Sequence, residues 1–365
     1  MTATAPTTRV RVPFWDNARF ISVTLVVIGH GIQRLTSDSD NALVLYLFIY
    51  AFHMPAFAII SGYFSKASPP TSRRMKKVLT DILLPYFIME TIWTAVQFFV
   101  EGKQSFNPTN PSWTLWFLLA LGFFRLVMPY LVQLRAPLLW ALVLSVMVGY
   151  FSNVDSTFSL SRAIGILPFF VLGWQVRQWG ILERFLALGR GVWVVRGVAV
   201  AVFAAWLVVV IVGIEQWRAV DLRFWFFYDD SYSGLGEDEW WAGLVRLGLI
   251  VLAVILSAAF FALIPRSDTW ITSLGTATMY VYLLHSFILY PLRETGVLTG
   301  EHASATWLLA MVFACIAISI LLASPFVRKV FRPIIEPKPR WLFIKLDDER
   351  PSAASKTDPT GSRRE

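Results

Sequence analysis

The chain has 365 residues, 56% of them hydrophobic and only 15% charged, with a mean hydropathy of +0.59; this balance excludes an ordinary soluble domain and predicts an integral membrane protein. Sixteen Trp and 29 Phe fall in helix-length apolar runs and not in short alternating strands, which excludes an outer-membrane barrel and predicts an all-α polytopic bundle. The net charge of +8 raises nucleic acid as a partner, but the cations cluster beside apolar runs, where they orient the chain in a lipid bilayer, so the bilayer is the expected partner and nucleic acid is not.

Ten spans are predicted, at 14–33, 42–64, 78–100, 113–134, 137–152, 162–178, 192–214, 242–264, 270–291 and 304–326. The first opens on Phe14 and Trp15, lacks a small-residue cleavage site and reads as a retained helix. It contains Arg19 and, 11 residues on, His30. Eleven helical steps end about 20° past three full turns, so the two side chains share one face about 16 Å apart along the axis. Ionisable groups are costly in lipid and mark functional sites by default.

The second span carries His53 beside Pro55, readable as an interhelical packing residue or as part of a site. The loop after it holds Lys66, Arg73, Arg74, Lys76 and Lys77. This basic cluster suits either topological anchoring or a phosphorylated ligand. Glu90 lies in the third span and Arg125 in the fourth, and each has a plain alternative as the neutralising partner of a neighbour. Counting from the basic end of each span places His30, His53, Glu90 and Arg125 at one level, roughly 15 to 20 Å deep. Further candidates are Arg162 at the sixth span and His285 in the ninth.

With the N-terminus in the cytoplasm, 23 cations lie inside and seven outside, so both termini are expected to be cytoplasmic. The longest outer connection, 215–241, mixes acids such as Asp229 and Asp230 with rings such as Trp225, Phe226 and Phe227. It reads as an interfacial aromatic belt with a solvated acidic tip, or as a sugar-stacking platform. The ten spans make one domain over 1–336, and the charged, then Ser- and Pro-rich stretch 337–365 is expected to be a disordered cytoplasmic tail.

A neutral imidazole at mid-depth can take a proton from an alcohol, and a positioned base of this kind contributes about 10²- to 10⁴-fold in rate. Competing chemistries lack their residues: there is no G-x-S-x-G elbow, no phosphate loop and no His and Cys cluster at metal spacing. No metal and no bound cofactor are therefore expected. Cys315 is the single cysteine, which makes a covalent thiol intermediate a poor candidate.

Several segments in order resemble a known family. They are Asp16-Asn17-Ala18-Arg19, the Arg19 to His30 spacing with Gly29, and Phe52-His53-Met54-Pro55 leading to Ser61-Gly62-Tyr63-Phe64. Trp116-Phe117-Leu118 with Arg125 follows, then Arg162 to Pro168-Phe169-Phe170 and Gly173, and Tyr282 to His285. Together they are similar to the acyltransferase-3 family of membrane O-acyltransferases, in particular its fucose 4-O-acetylase-related branch. The resemblance implies transfer of an acetyl or short acyl group from acyl-CoA, a co-substrate, to a hydroxyl of a glycan or glycolipid at the inner or plasma membrane. It implies His30 as catalytic base and Arg19 as a catalytic residue that orients the donor. His53, Glu90, Arg125, Arg162 and His285 are candidates for substrate or donor contacts, with Arg125 or His53 at the oxyanion. The family's Arg-x-x-Arg falls on Arg73 with Lys76 or on Arg74 with Lys77, candidates for the donor's phosphates. The main alternative is a proton-coupled transporter using His30, His53 and Glu90 as a relay, followed by a non-enzymatic membrane scaffold.

Overall fold

A computed structural model describes residues 11–68, 71–102, 106–294, 304–339 and 342. All regular structure among them is helical. The main helices are α1 (Pro13–Ile32), α2 (Asp40–Tyr50), α3 (His53–Tyr63), α4 (Ser72–Glu101), α5 (Trp116–Leu131) and α6 (Pro137–Val148). They continue with α7 (Leu160–Gln178), α8 (Val192–Val212), α9 (Ala242–Leu263), α10 (Thr278–Glu294), α11 (Ala305–Leu322) and α12 (Pro325–Ile335). Six helical stretches are long and apolar enough to cross a membrane: α2 with α3, α4, Thr157–Gln178, α8, α9 and α11. Each of the ten predicted segments carries helix. Arg9, Lys103 and, apart from 337–339 and 342, the predicted tail lie outside the described residues.

Helix ends follow local chemistry. Ser39, Ser304 and Ser324 cap α2, α11 and α12 by accepting from the backbone N–H three residues on. Proline occupies the first turns of α1, α6 and α12, where no intrahelical donor is lost. Gly102 ends α4 with φ +70°, a conformation glycine adopts without a Cβ clash.

Three features differ from the sequence reading. The second predicted span is broken at Ala51 and Phe52, so α3 starts at His53 and not mid-helix. α4 contains a π-helical stretch, Leu79–Leu83. An amphipathic helix, α12, follows the last predicted span; its Arg328, Lys329 and Arg332 alternate with exposed Phe326 and Val330, a pattern too short and too charged to register as a span.

The centre of the bundle is α1, which packs on α3, α10, α11 and the turn Leu274–Ala277. Asn17 fixes its start: its side-chain N–H groups donate to the carbonyls of Pro265 and Ser267, both at 3.0 Å, and its Oδ1 accepts from Thr269 and Thr272. The tightest helix pair is α3 with α7. A Cβ on Gly62 would overlap the Phe170 carbonyl, and one on Gly173 the Ile59 carbonyl, so both glycines permit backbone contact. Arg246 on α9, 2% exposed, donates to the carbonyls of Ser145 and Asp230 and lies 4.7 Å from the Tyr232 ring centroid. It thereby ties the 226–232 loop to α6. Counted only as an outer cation in the sequence, it acts as an internal staple.

Candidate functional site

Two cavities open along the same three helices. Their polar linings differ because successive residues of α1, α3 and α5 face different neighbours.

The first, about 250 Å³, holds His30, His53 and Arg162 with Tyr50, Trp113, Trp116, Phe227 and Arg293 around them. His53 is 2% exposed, and its Nδ1 lies 3.0 Å from the Ile49 carbonyl, with the Tyr50 ring edge-on at 4.5 Å. A carbonyl can only accept, so Nδ1 carries the hydrogen and Nε2 of the neutral ring keeps a lone pair. The His30 ring sits 5.5 Å from that of His285. Arg162 pairs with Asp229 and lies over Trp116 at 4.5 Å and Phe227 at 5.6 Å. Arg293 lies over Trp113 at 4.7 Å. Each cation is thus spread on an aromatic face, an arrangement that keeps guanidinium planes fixed in a dry wall.

The second cavity, about 840 Å³, is lined by Arg19, Lys66, Arg73, Arg74, Lys77 and Arg125, with Asp81 the one acid facing it. Arg19 is 3.2 Å from the buried Asp16 carboxylate, which Arg11 also contacts at 2.5 Å, and lies 4.3 Å from the Phe64 ring. Six cations against one carboxylate make a site for a polyanion. Arg74 and Lys77 both face it, three residues apart on one side of α4, whereas Lys76 is not among the lining residues.

The shared helices set the spatial relation. On α1, Arg19 faces the basic cavity and His30 the histidine cavity; on α3, His53 and Met54 face one and Phe57 and Ser61 the other; on α5, Trp116 and Arg125 divide likewise. Between them Phe57 meets Phe117 edge to face at 5.4 Å.

The single level of four polar groups inferred from the sequence is not formed. His30 and His53 share a cavity, but Arg125 belongs to the basic one. Its depth was counted from Arg135, which lies beyond the helix; α5 ends at Leu131, so Arg125 is about 9 Å from that end. Glu90, 2% exposed, lines neither cavity. The π-helical stretch earlier in α4 shifts the phase of all that follows, turning Glu90 toward the segment before α5. His285 touches the site from behind, through His30. Among the described residues, no three His, Cys, Asp or Glu side chains gather as a metal-holding group.

Residues the sequence reading did not single out complete the histidine cavity. Trp113 has φ +50°, unusual for a large side chain, and stands between two gripped neighbours: Ser112 is held by Glu90, and the Thr114 carbonyl accepts from the Tyr282 hydroxyl. Such enforced backbone presents the indole to the cavity. Asp229 was assigned to a solvated tip and instead pairs with Arg162 and accepts from Ser161 at 3.1 Å. Phe226 and Phe227 line the cavity and are not simply an interfacial belt. Nothing in the local sequence marks these contacts, because they join segments about 67 residues apart.

The helical bundle, with six stretches able to cross a bilayer, defines a multi-pass membrane protein, and its paired cavities have the layout of one that handles two chemically unlike ligands. Residues 12–324 match the model of the acyltransferase domain family, and the chain belongs to that family. It is 27% identical over 190 residues to the nodulation protein NolL of Mesorhizobium japonicum, an alignment covering 47% of this chain and 50% of the relative. The chain thus spans about half the length of the curated relative it matches. No solved structure matches the chain.

Proposed function

We propose that this protein is a membrane O-acyltransferase that moves an acetyl or other short acyl group from acyl-CoA to a hydroxyl of a glycan or glycoconjugate. The observation that carries the reading is the division of α1: a guanidinium at one cavity rich in cations and an imidazole at a second cavity walled by aromatic rings. The donor's phosphates are held by Arg73, Arg74, Lys77, Arg19 and Arg125, since multivalent anions favour clustered guanidinium and ammonium donors. The acyl arm passes the Phe57 and Phe117 contact, and a sugar ring stacks between Trp113, Trp116 and Phe227 in the histidine cavity.

There Nε2 of His30 takes the proton of the acceptor hydroxyl as its oxygen attacks the thioester carbonyl. The C–O bond forms, the C–S bond breaks, and the proton passes from His30 to the departing thiolate, so the imidazole is regenerated. The carbonyl oxygen becomes an oxyanion that needs a fixed donor. Arg125 lies in the other cavity, and neutral His53 presents a lone pair, so Arg162 takes this role. Residues 1–336 act as one catalytic unit in the inner or plasma membrane, with the basic cavity and both termini on the cytoplasmic side, in accord with the distribution of cations. Glu90 faces neither cavity, which removes one member of a His30, His53 and Glu90 proton relay and disfavours transport.

Membranes carrying His30→Ala, supplied with acetyl-CoA and a cell-derived glycolipid acceptor fraction, are expected to lose acetyl transfer at unchanged protein abundance. Retained turnover would remove His30 from the mechanism and overturn this reading.

A further inference from the structure

His285 and His30 present two unsatisfied ring nitrogens to one another's neighbourhood. His285 is fully buried, its Nδ1 lies 2.9 Å from the Val281 carbonyl, and its Nε2 is buried without a hydrogen-bond partner. On the facing helix, Nδ1 of His30 is likewise buried and unpartnered, while the ring borders the cavity. Burying a polar atom unpaired costs about 1–3 kcal/mol, and native structures rarely leave two such atoms side by side.

The chemistry of the two atoms is complementary. The Val281 carbonyl requires a hydrogen on Nδ1 of His285, so in the neutral ring Nε2 is an acceptor. Nδ1 of His30 can be the donor it lacks. Two imidazoles joined by an N–H···N bond of about 2.9 Å have centroids about 5 Å apart. The observed 5.5 Å, at 38° between ring planes, is within a small ring rotation of that geometry.

Resting on His30 as the base, we propose that His285 is a positioning residue that holds His30 in the tautomer able to act. The chain runs from the Val281 carbonyl through His285 to Nδ1–H of His30, leaving the lone pair of Nε2 toward the acceptor hydroxyl. When Nε2 takes the hydroxyl proton, the Nδ1–H bond to His285 strengthens and spreads the new positive charge; no proton leaves His30 for His285. A carboxylate performs this orienting role in water-soluble triads. A neutral imidazole fits a helix interior better, because an isolated carboxylate there carries a large desolvation penalty. Arg162 and Arg293 face the cavity side of His30, and His53 lies across the cavity, so His285 is the acceptor on the buried side.

The test compares His285→Leu and His285→Gln, the second keeping an amide oxygen able to accept from Nδ1–H. Leu is expected to lower kcat at least tenfold, part of the roughly 10²- to 10⁴-fold that a positioned base supplies, with KM for acetyl-CoA within about twofold. The acidic limb of its kcat profile should move to lower pH, and Gln should restore most of kcat. Unchanged kcat in Leu, or equal losses in Leu and Gln at unchanged thermal stability, overturns the proposal. If the variants do not fold, 15N spectra of histidine-labelled wild-type protein decide: hydrogen-bonded Nε2 at His285 is expected, and a free lone pair there overturns it. Should His30→Ala keep its activity, the base reading fails; should it lose activity while His285→Leu keeps it, only this inference fails.

Discussion

Glu90 accepts from both polar hydrogens of Ser112, the hydroxyl at 2.7 Å and the backbone N–H at 2.9 Å. A carboxylate engaged twice by one residue acts as a clasp, and what it clasps is the turn that presents Trp113.

Glu90→Gln should therefore retain turnover within about threefold, since the amide oxygen still accepts one of these hydrogen bonds and its N–H₂ can donate to the Ser112 oxygen. Glu90→Ala should raise KM for the acceptor and lower thermal stability by about 1–3 kcal/mol, the cost of leaving the Ser112 groups unpaired. Steady-state kinetics on both variants check this. Loss of activity in Gln alone would return Glu90 to a proton-transfer role.

Arg74 and Lys77 face the basic cavity together. Replacing either by Ala should raise KM for acetyl-CoA about tenfold, the equivalent of one charge-assisted contact, with kcat little changed. Titration with CoA and with dephosphorylated analogues reads the effect. An unaltered KM would assign the loop to membrane orientation alone.

Gly173→Ala should destabilise the α3 and α7 pair by about 1–3 kcal/mol or more, because the new methyl meets the Ile59 backbone and no side chain can yield. Thermal unfolding in detergent measures this directly. A wild-type melting temperature would show that the helices are not in backbone contact.

Burial, with Asp229 beside it, pushes the Asp230 carboxyl in the loop after α8 above the ordinary carboxylate range. A raised acid binds its proton more tightly when folded, so folding stability falls as pH rises from the unfolded value toward the folded one. Asp230→Asn should melt above the wild type near neutral pH, with the gap closing on acidification below that window. A gap independent of pH would exclude the carboxyl as its source.

The sequence made the one-face relation of Arg19 and His30 legible, because a single unbroken helix obeys a fixed rotation per residue. The glycines of the family-like segments, Gly62 and Gly173, were visible as letters, but their reason, backbone against backbone between α3 and α7, is tertiary. Depth counting failed for Arg125 and Glu90 because one ladder ended before its reference cation and the other contained a π-helical stretch. Trp113, Arg293 and Asp229 carried no local signal: each acquires its place from a segment distant in the chain, as does the facing of His285 toward His30.

The modest size of the histidine cavity has a further consequence. At about 250 Å³ it falls short of the roughly 300–1,000 Å³ typical of small-molecule pockets. A fatty chain and a saccharide ring would compete for that room, so on the proposed reading selection against long-tailed donors would come from simple crowding at the point of transfer, without any residue devoted to measuring the tail.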